Sequence, residues 1–176
     1  VIWLSPVGVF CLIFSTFSSL GISIIFTLIN YFIIVVGVLI FHAVFTYSLL
    51  LISLAKINPL IFFTKMREAI IFAFSTSSSS ATMPVTLKTV EEKLGVDKSV
   101  SSFCIPLGTT INMDGTAIMQ GVATVFIAQV YQVDLSMMEY LMVIITATLA
   151  SIGTAGVPGV GLIMLAMVLQ QVGLPV

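Results

Sequence analysis

From Ile24 to Leu54 the chain contains no Asp, Glu, Lys or Arg. About 31 residues at ~1.5 Å each make a helix long enough to cross a hydrocarbon core with some tilt. Ile2 to Leu20, interrupted only by Pro6, Gly8 and small hydroxyl residues, has the same character, and so does the long run from Val100 to Tyr131. A soluble core cannot hide three such segments. With 59 % hydrophobic residues, 7 % charged residues and a mean hydropathy of +1.24, the chain reads as an all-α polytopic membrane protein. Its net charge of −1 gives no electrostatic case for a nucleic-acid partner. Cys11 and Cys104 lie in separate apolar segments and are expected to be buried free thiols rather than a disulfide. The chain carries no initiator Met and no cleavable signal, opens within an apolar segment and stops at Leu174-Pro175-Val176. It is expected to be an internal part of a larger protein.

All six basic residues, Lys56, Lys65, Arg67, Lys88, Lys93 and Lys98, fall between positions 56 and 98. A single crossing between Ile61 and Leu94 would place basic ends on opposite faces of the membrane, against the preference of Lys and Arg for the cytoplasmic side. The apolar part, Ala69 to Phe74, is also too short to span, and Ser75 to Ser80 is a run of hydroxyls expected to be non-helical. Such backbone at membrane depth must be buried in protein or face a water-filled cavity. The expectation is a re-entrant hairpin over 61–94.

The next long segment, 99–131, carries Asn112-Met113-Asp114-Gly115-Thr116 in its middle. A carboxylate at that depth costs at least ~2.5 kcal/mol and needs a partner. One partner is a hard cation held by carboxylate, amide and freed backbone oxygens, with Gly115 permitting the helix to unwind. The other is a basic residue on a neighbouring helix. His42, alone on its face with no second ligand in helical reach, is expected to be hydrogen-bonded packing.

The loop Gln132 to Glu139 has two acids and no base, as an external loop would. Beyond it, Ser151 to Gly161 holds four glycines and a proline in eleven residues and cannot be continuous helix. With apolar residues on either side, 137–172 is expected to form a second re-entrant hairpin, entered from outside. Its tip resembles the first. Ser77 to Pro84 and Ser151 to Pro158 both place Ala four residues and Pro seven residues after the first Ser. Two opposed tips around a broken helix have the form of an inverted-repeat transporter, in which half-helix N-termini face anions and freed carbonyls hold cations.

Ser77 to Pro84, Pro106 to Thr116 and Ser151 to Gly161 closely resemble the motifs of the dicarboxylate/amino acid:cation symporters, the glutamate transporters and their prokaryotic homologues. The architecture of that group is itself the reference case for inverted-repeat transporters. The resemblance covers the whole chain, lacks the family's N-terminal helices and last helix, and implies the rest of this paragraph. Residues 1–21 would be a partial scaffold helix and 22–176 an incomplete transport domain, with a transmembrane helix at 24–54. Ser78, Ser79, Thr116, Val157 and Gly161 would bind the substrate. Asp114, Asn112 and Gly108 would serve two sodium ions, Thr110, Ser151, Ile152 and Thr154 a third, and Met113 would pack between ions and substrate. Gln120 occupies the position where animal glutamate transporters carry a proton-bearing Glu, and Ser77 the position where archaeal homologues carry Arg.

These motifs imply a homotrimeric, sodium-driven symporter for acidic amino acids in a prokaryotic plasma or inner membrane, working by an elevator movement. A proton is the alternative coupling ion. Alternative cargoes are C4-dicarboxylates or neutral amino acids, and an ion channel is the more distant reading. An intramembrane hydrolase is disfavoured: Ser77 to Ser80 have no adjacent His or Lys to activate a nucleophile.

Overall fold

A computed structural model describes residues 5–20 and 24–175, and these are all helix, turn or loop with no strand among them. Expectations that fall on residues 1–4, 21–23 and 176, including the ends of the first segment, lie outside the described residues. Helix α1 (Ser5–Leu20) presents every described side chain outward. Helix α2 (Ile24–Phe41) continues through a π turn (His42–Thr46), a short α3 (Tyr47–Leu50) and a second π turn (Leu51–Ala55). Together they make one apolar rod, Ile25–Ala55, of 31 residues. Lys56 in left-handed backbone ends it.

Two antiparallel helix pairs and a broken helix follow. Helix α4 (Pro59–Thr76) starts with Pro59 in its first turn, where no amide hydrogen is needed, and with the Asn58 side chain accepting from Leu60 N at 2.9 Å. Helix α5 (Ser79–Thr89) packs back along α4 and runs into a π turn (Val90–Leu94). An exposed ion pair, Lys93 Nζ to Glu68 Oε2 at 2.5 Å, joins the two limbs. At the surface such a pair is screened by water and adds little to stability. Helix α6 (Lys98–Ile111) is capped by Asp97, and α7 (Asp114–Val130) follows a two-residue break. Helix α8 (Met137–Ile152) opens with a Ser136/Glu139 capping box, and α9 (Val160–Gln171) returns along it.

The buried centre lies among α7, α8 and α9: Ala128, Val143, Ala147, Val168 and Leu169 are its core. The small side chains let the helices approach closely, the packing mode that works where lipid removes any hydrophobic drive. Helix α2 joins this body through Tyr31 and Phe126, ring centroids 5.1 Å apart, and through Leu39 against Gly115. The outer faces carry exposed Phe, Ile and Leu throughout, as lipid or further protein requires.

Four expectations need correction. Cys11 and Cys104 are free, but both are exposed, because each sits on an outward apolar face. The first tip is shorter than its hydroxyl run: Ser75 and Thr76 remain helical, their hydroxyls donating to the carbonyls of Ile71 (2.9 Å) and Phe72 (3.0 Å) one turn back. The break in the long segment is Asn112 and Met113 alone, and Gly115 lies inside α7. The likeness of the two tips does not survive in three dimensions. Ala81 and Pro84 belong to helix α5, whereas Ala155 and Pro158 lie in the loop before α9.

Candidate functional site

Helix α4 stops because Ser77 takes left-handed backbone, φ 48° and ψ 31°. Ser78 is extended and caps α5, its hydroxyl oxygen accepting from Ala81 N at 3.2 Å. The same hydroxyl donates to the carbonyl of Gly156 at 2.8 Å, and Ser80 N donates to that carbonyl at 3.2 Å. One carbonyl of the second tip therefore sits on the N-terminus of α5, where unpaired amides and the helix dipole favour negative charge.

The second tip comes this close because Gly156 has no side chain. A Cβ there would stand 3.0 Å from Ser80 Oγ and 3.2 Å from both Ser79 Cβ and the Thr109 carbonyl oxygen. Gly159, at φ 86°, then turns the chain into α9. At the start of that helix a Cβ on Gly161 would stand 3.0 Å from Thr116 Cγ2, so α9 lies flat against the first turn of α7.

Between the tips and the broken helix lies a pocket of about 300 Å³. Of the residues expected to bind substrate or ions, Ser79, Met113, Thr116, Thr154, Val157 and Gly161 line it. Ser78 stands beside it through its bond to Gly156. The remaining expected ion ligands are not gathered there. Asn112, at φ −89° and ψ 77°, donates its amide hydrogen to the Gly108 carbonyl at 2.9 Å. Thr110 is exposed, with its hydroxyl bonded to the Leu107 carbonyl at 2.9 Å, and Ser151 is buried and bonded to the Thr148 carbonyl at 2.8 Å. Ile152 points outward. Met119 and Leu162 line the pocket too and carried no signal beyond apolarity.

Asp114 opens α7 and is held from the side of the first rod. His42 Nε2 lies 2.7 Å from Asp114 Oδ2, and the Tyr47 hydroxyl donates to the same oxygen. Gly115 N reaches Oδ1 at 3.1 Å. The neighbouring-helix partner thus exists as His42, and Tyr47 was missed. Its spacing of five residues from His42 falls on no helical stripe, so only knowledge of the π turn would have found it. Gln120, six residues further along α7, is fully buried: Nε2 donates to the Gly161 carbonyl at 3.0 Å, and Oε1 has no partner among the described residues.

Across residues 1–176 the chain matches the sodium:dicarboxylate symporter family. It is 44 % identical to an excitatory amino acid transporter of Caenorhabditis elegans, over 100 % of this chain and 35 % of the relative. It is 43 % identical to the human excitatory amino acid transporter 1, over 99 % of this chain and 33 % of the relative. A putative sodium-dependent excitatory amino acid transporter of Caenorhabditis elegans, glt-4, is 48 % identical over 84 % of this chain and 30 % of its own length. The chain spans about a third of the length of these relatives. With the family matched from end to end, and its motifs placed at two touching helix tips and a broken helix, the chain belongs to the sodium:dicarboxylate symporter family.

Proposed function

We propose that the protein this chain belongs to is a multi-pass membrane symporter that takes up acidic amino acids, glutamate or aspartate, with sodium. The observation that carries the reading is the pocket itself: residues from both tips and from the first turn of α7 surround a space of amino-acid size. Family membership and the relatives' names support the cargo and the ion. In this reading the α5 N-terminus and Ser79 receive the substrate's carboxylate, Thr116 hydrogen-bonds it, and Val157 and Gly161 close over it. Among the described residues no three of His, Cys, Asp and Glu converge. In the same reading Asp114 and Asn112 hold one sodium, backbone oxygens of Gly108 and Asn112 a second, and Thr110, Ser151, Ile152 and Thr154 a third, the oxygen ligands that hard cations take.

The two helix pairs are re-entrant hairpins in this reading, and residues 22–176 travel as one transport body past a trimeric scaffold. Single cysteines replacing Lys65 and Lys93 should both label from the cytoplasmic side, and opposite accessibility sinks the hairpin. The choice of coupling ion rests on Gln120. An amide cannot take up a proton in the physiological range, so uptake should need neither internal potassium nor a titrating group at this position.

The decisive experiment is uptake by the reconstituted full-length protein with sodium, proton and potassium gradients imposed one at a time. Sodium alone should drive accumulation. Asp114→Asn keeps the shape and removes the counter-charge, and should weaken apparent sodium affinity more than about tenfold. Unchanged sodium coupling in that variant contradicts the cation site. Accumulation driven by a proton gradient without sodium replaces the coupling ion.

A further inference from the structure

His42 and Tyr47 are five residues apart, which on a regular α-helix leaves them ~140° apart around the axis. They nevertheless meet at one oxygen, Asp114 Oδ2. The reason is the π turn His42–Thr46, in which Tyr47 N–H bonds to the His42 carbonyl five residues back and sets the two side chains above one another. Their rings lie 5.0 Å apart, edge to face. Of the three π turns among the described residues, this is the one whose side chains meet Asp114.

We propose that this π turn makes His42 and Tyr47 a two-pronged clamp of positioning residues, which fixes the Asp114 carboxylate by Oδ2 and leaves Oδ1 as the oxygen offered to a cation. The inference rests on the reading of Asp114 as a cation ligand. Two donors to one oxygen stop rotation of the carboxylate, so the ion meets a ligand already oriented. Among the described residues the one polar contact of Oδ1 is the neighbouring Gly115 N–H at 3.1 Å. Packing alone would require the two rings but neither the hydroxyl nor the ring N–H. The clamp is therefore separable from the fold: Tyr47→Phe keeps the ring against His42 and deletes only the prong.

The test uses full-length protein in proteoliposomes, with initial uptake measured against sodium concentration. Loss of one charge-assisted hydrogen bond should raise the sodium half-saturation by about tenfold in Tyr47→Phe. The maximal rate at saturating sodium should change far less. His42→Leu should give the same shift, and His42→Gln, whose amide nitrogen can reach Oδ2, should recover most of it. Deleting Phe45, an exposed residue of the turn, leaves His42 and Tyr47 four residues apart on regular helix, ~40° apart on one stripe, and should keep the wild-type half-saturation. Asp114→Asn serves as the reference. If it abolishes the sodium dependence while Tyr47→Phe and His42→Leu move it less than twofold, the clamp is refuted and the cation site stands. If Asp114→Asn leaves the dependence intact, both fall. Tighter sodium binding in Tyr47→Phe also overturns the clamp, since the donors would then compete with the ion. So does a lower maximal rate at unchanged half-saturation, which marks a scaffold role.

Discussion

The first tip turns in two residues, Ser77 and Ser78, whereas the second takes seven, 153–159. The difference lies in who satisfies the backbone. At the first tip the hydroxyls do it locally: Ser78 caps α5, and the Ser78 carbonyl accepts from Thr82 N at 3.0 Å and Thr82 Oγ1 at 2.7 Å. At the second tip the one hydroxyl, Thr154, donates to the Ala150 carbonyl at 2.8 Å behind it. The Gly156 carbonyl is instead held by Ser78 and Ser80. One tip is complete in itself, and the other borrows its partners across the gap. If the two separate, the second should lose order and the first keep its own, which makes the second the tip expected to open.

The strongest way to break this comparison is to prevent the close approach. Gly156→Ala would put a Cβ 3.2 Å from the Thr109 carbonyl oxygen, and main chain cannot rotate away as Ser80 can. Overpacking of this kind costs ~1–3 kcal/mol, so apparent substrate affinity in uptake should fall about tenfold. Wild-type affinity would mean that the tips need not touch during transport.

Ser78→Ala comes next, because one hydroxyl serves both tips. It removes the α5 cap, worth ~1 kcal/mol, and one of two donors on Gly156, worth about as much. The expected result is a roughly fivefold loss of apparent substrate affinity, with a thermal midpoint lowered by only a few degrees. A lower midpoint with unchanged affinity would confine Ser78 to capping.

The smallest effect belongs to the far end of the second hairpin. Ser136 N donates to Glu139 Oε2 at 2.6 Å, and the Ser136 hydroxyl does so at 2.7 Å. The Ser136 side-chain hydrogen bond, then its backbone one, hold the Glu139 carboxyl below the usual glutamate range. A depressed folded value means the stabilisation is present above the ordinary value, ~4.3, and is lost as pH falls below it through the depressed one. Glu139→Gln should speed amide exchange at the start of α8, remove its acid sensitivity and change uptake less than twofold. A large transport defect would show that the two ends of the hairpin are coupled.

Much of this was legible in the residues. The rod of α2 and α3 follows from uninterrupted apolarity, the first tip from its run of Ser, the second from Gly and Pro, and the break falls within the polar stretch that marks it. What misled was local chemistry that reads two ways. Ser75 and Thr76 look like loop residues but bond back to their own helix. Gly115 looks like the cause of the break, yet Asn112 and Met113 make it, and Gly115 lies within α7 beside Leu39. The shared Ser-Ala-Pro spacing was sequence likeness without structural equivalence, since hydroxyls wind one copy into helix and glycines leave the other open. Tyr47 was invisible because every helical stripe assumes 3.6 residues per turn, and the π turn breaks that register at the one place where it matters.

Hydrogen exchange on the full-length protein in lipid nanodiscs, read by mass spectrometry with and without sodium and glutamate, tests the inequality of the tips most directly. Peptides covering 153–161 should exchange fast in the absence of both ligands and slow by at least about tenfold when both are added, while peptides covering 76–84 should change less than twofold. Equal protection of the two tips, or greater protection of the first, would contradict the claim that one tip is fixed and the other closes on it.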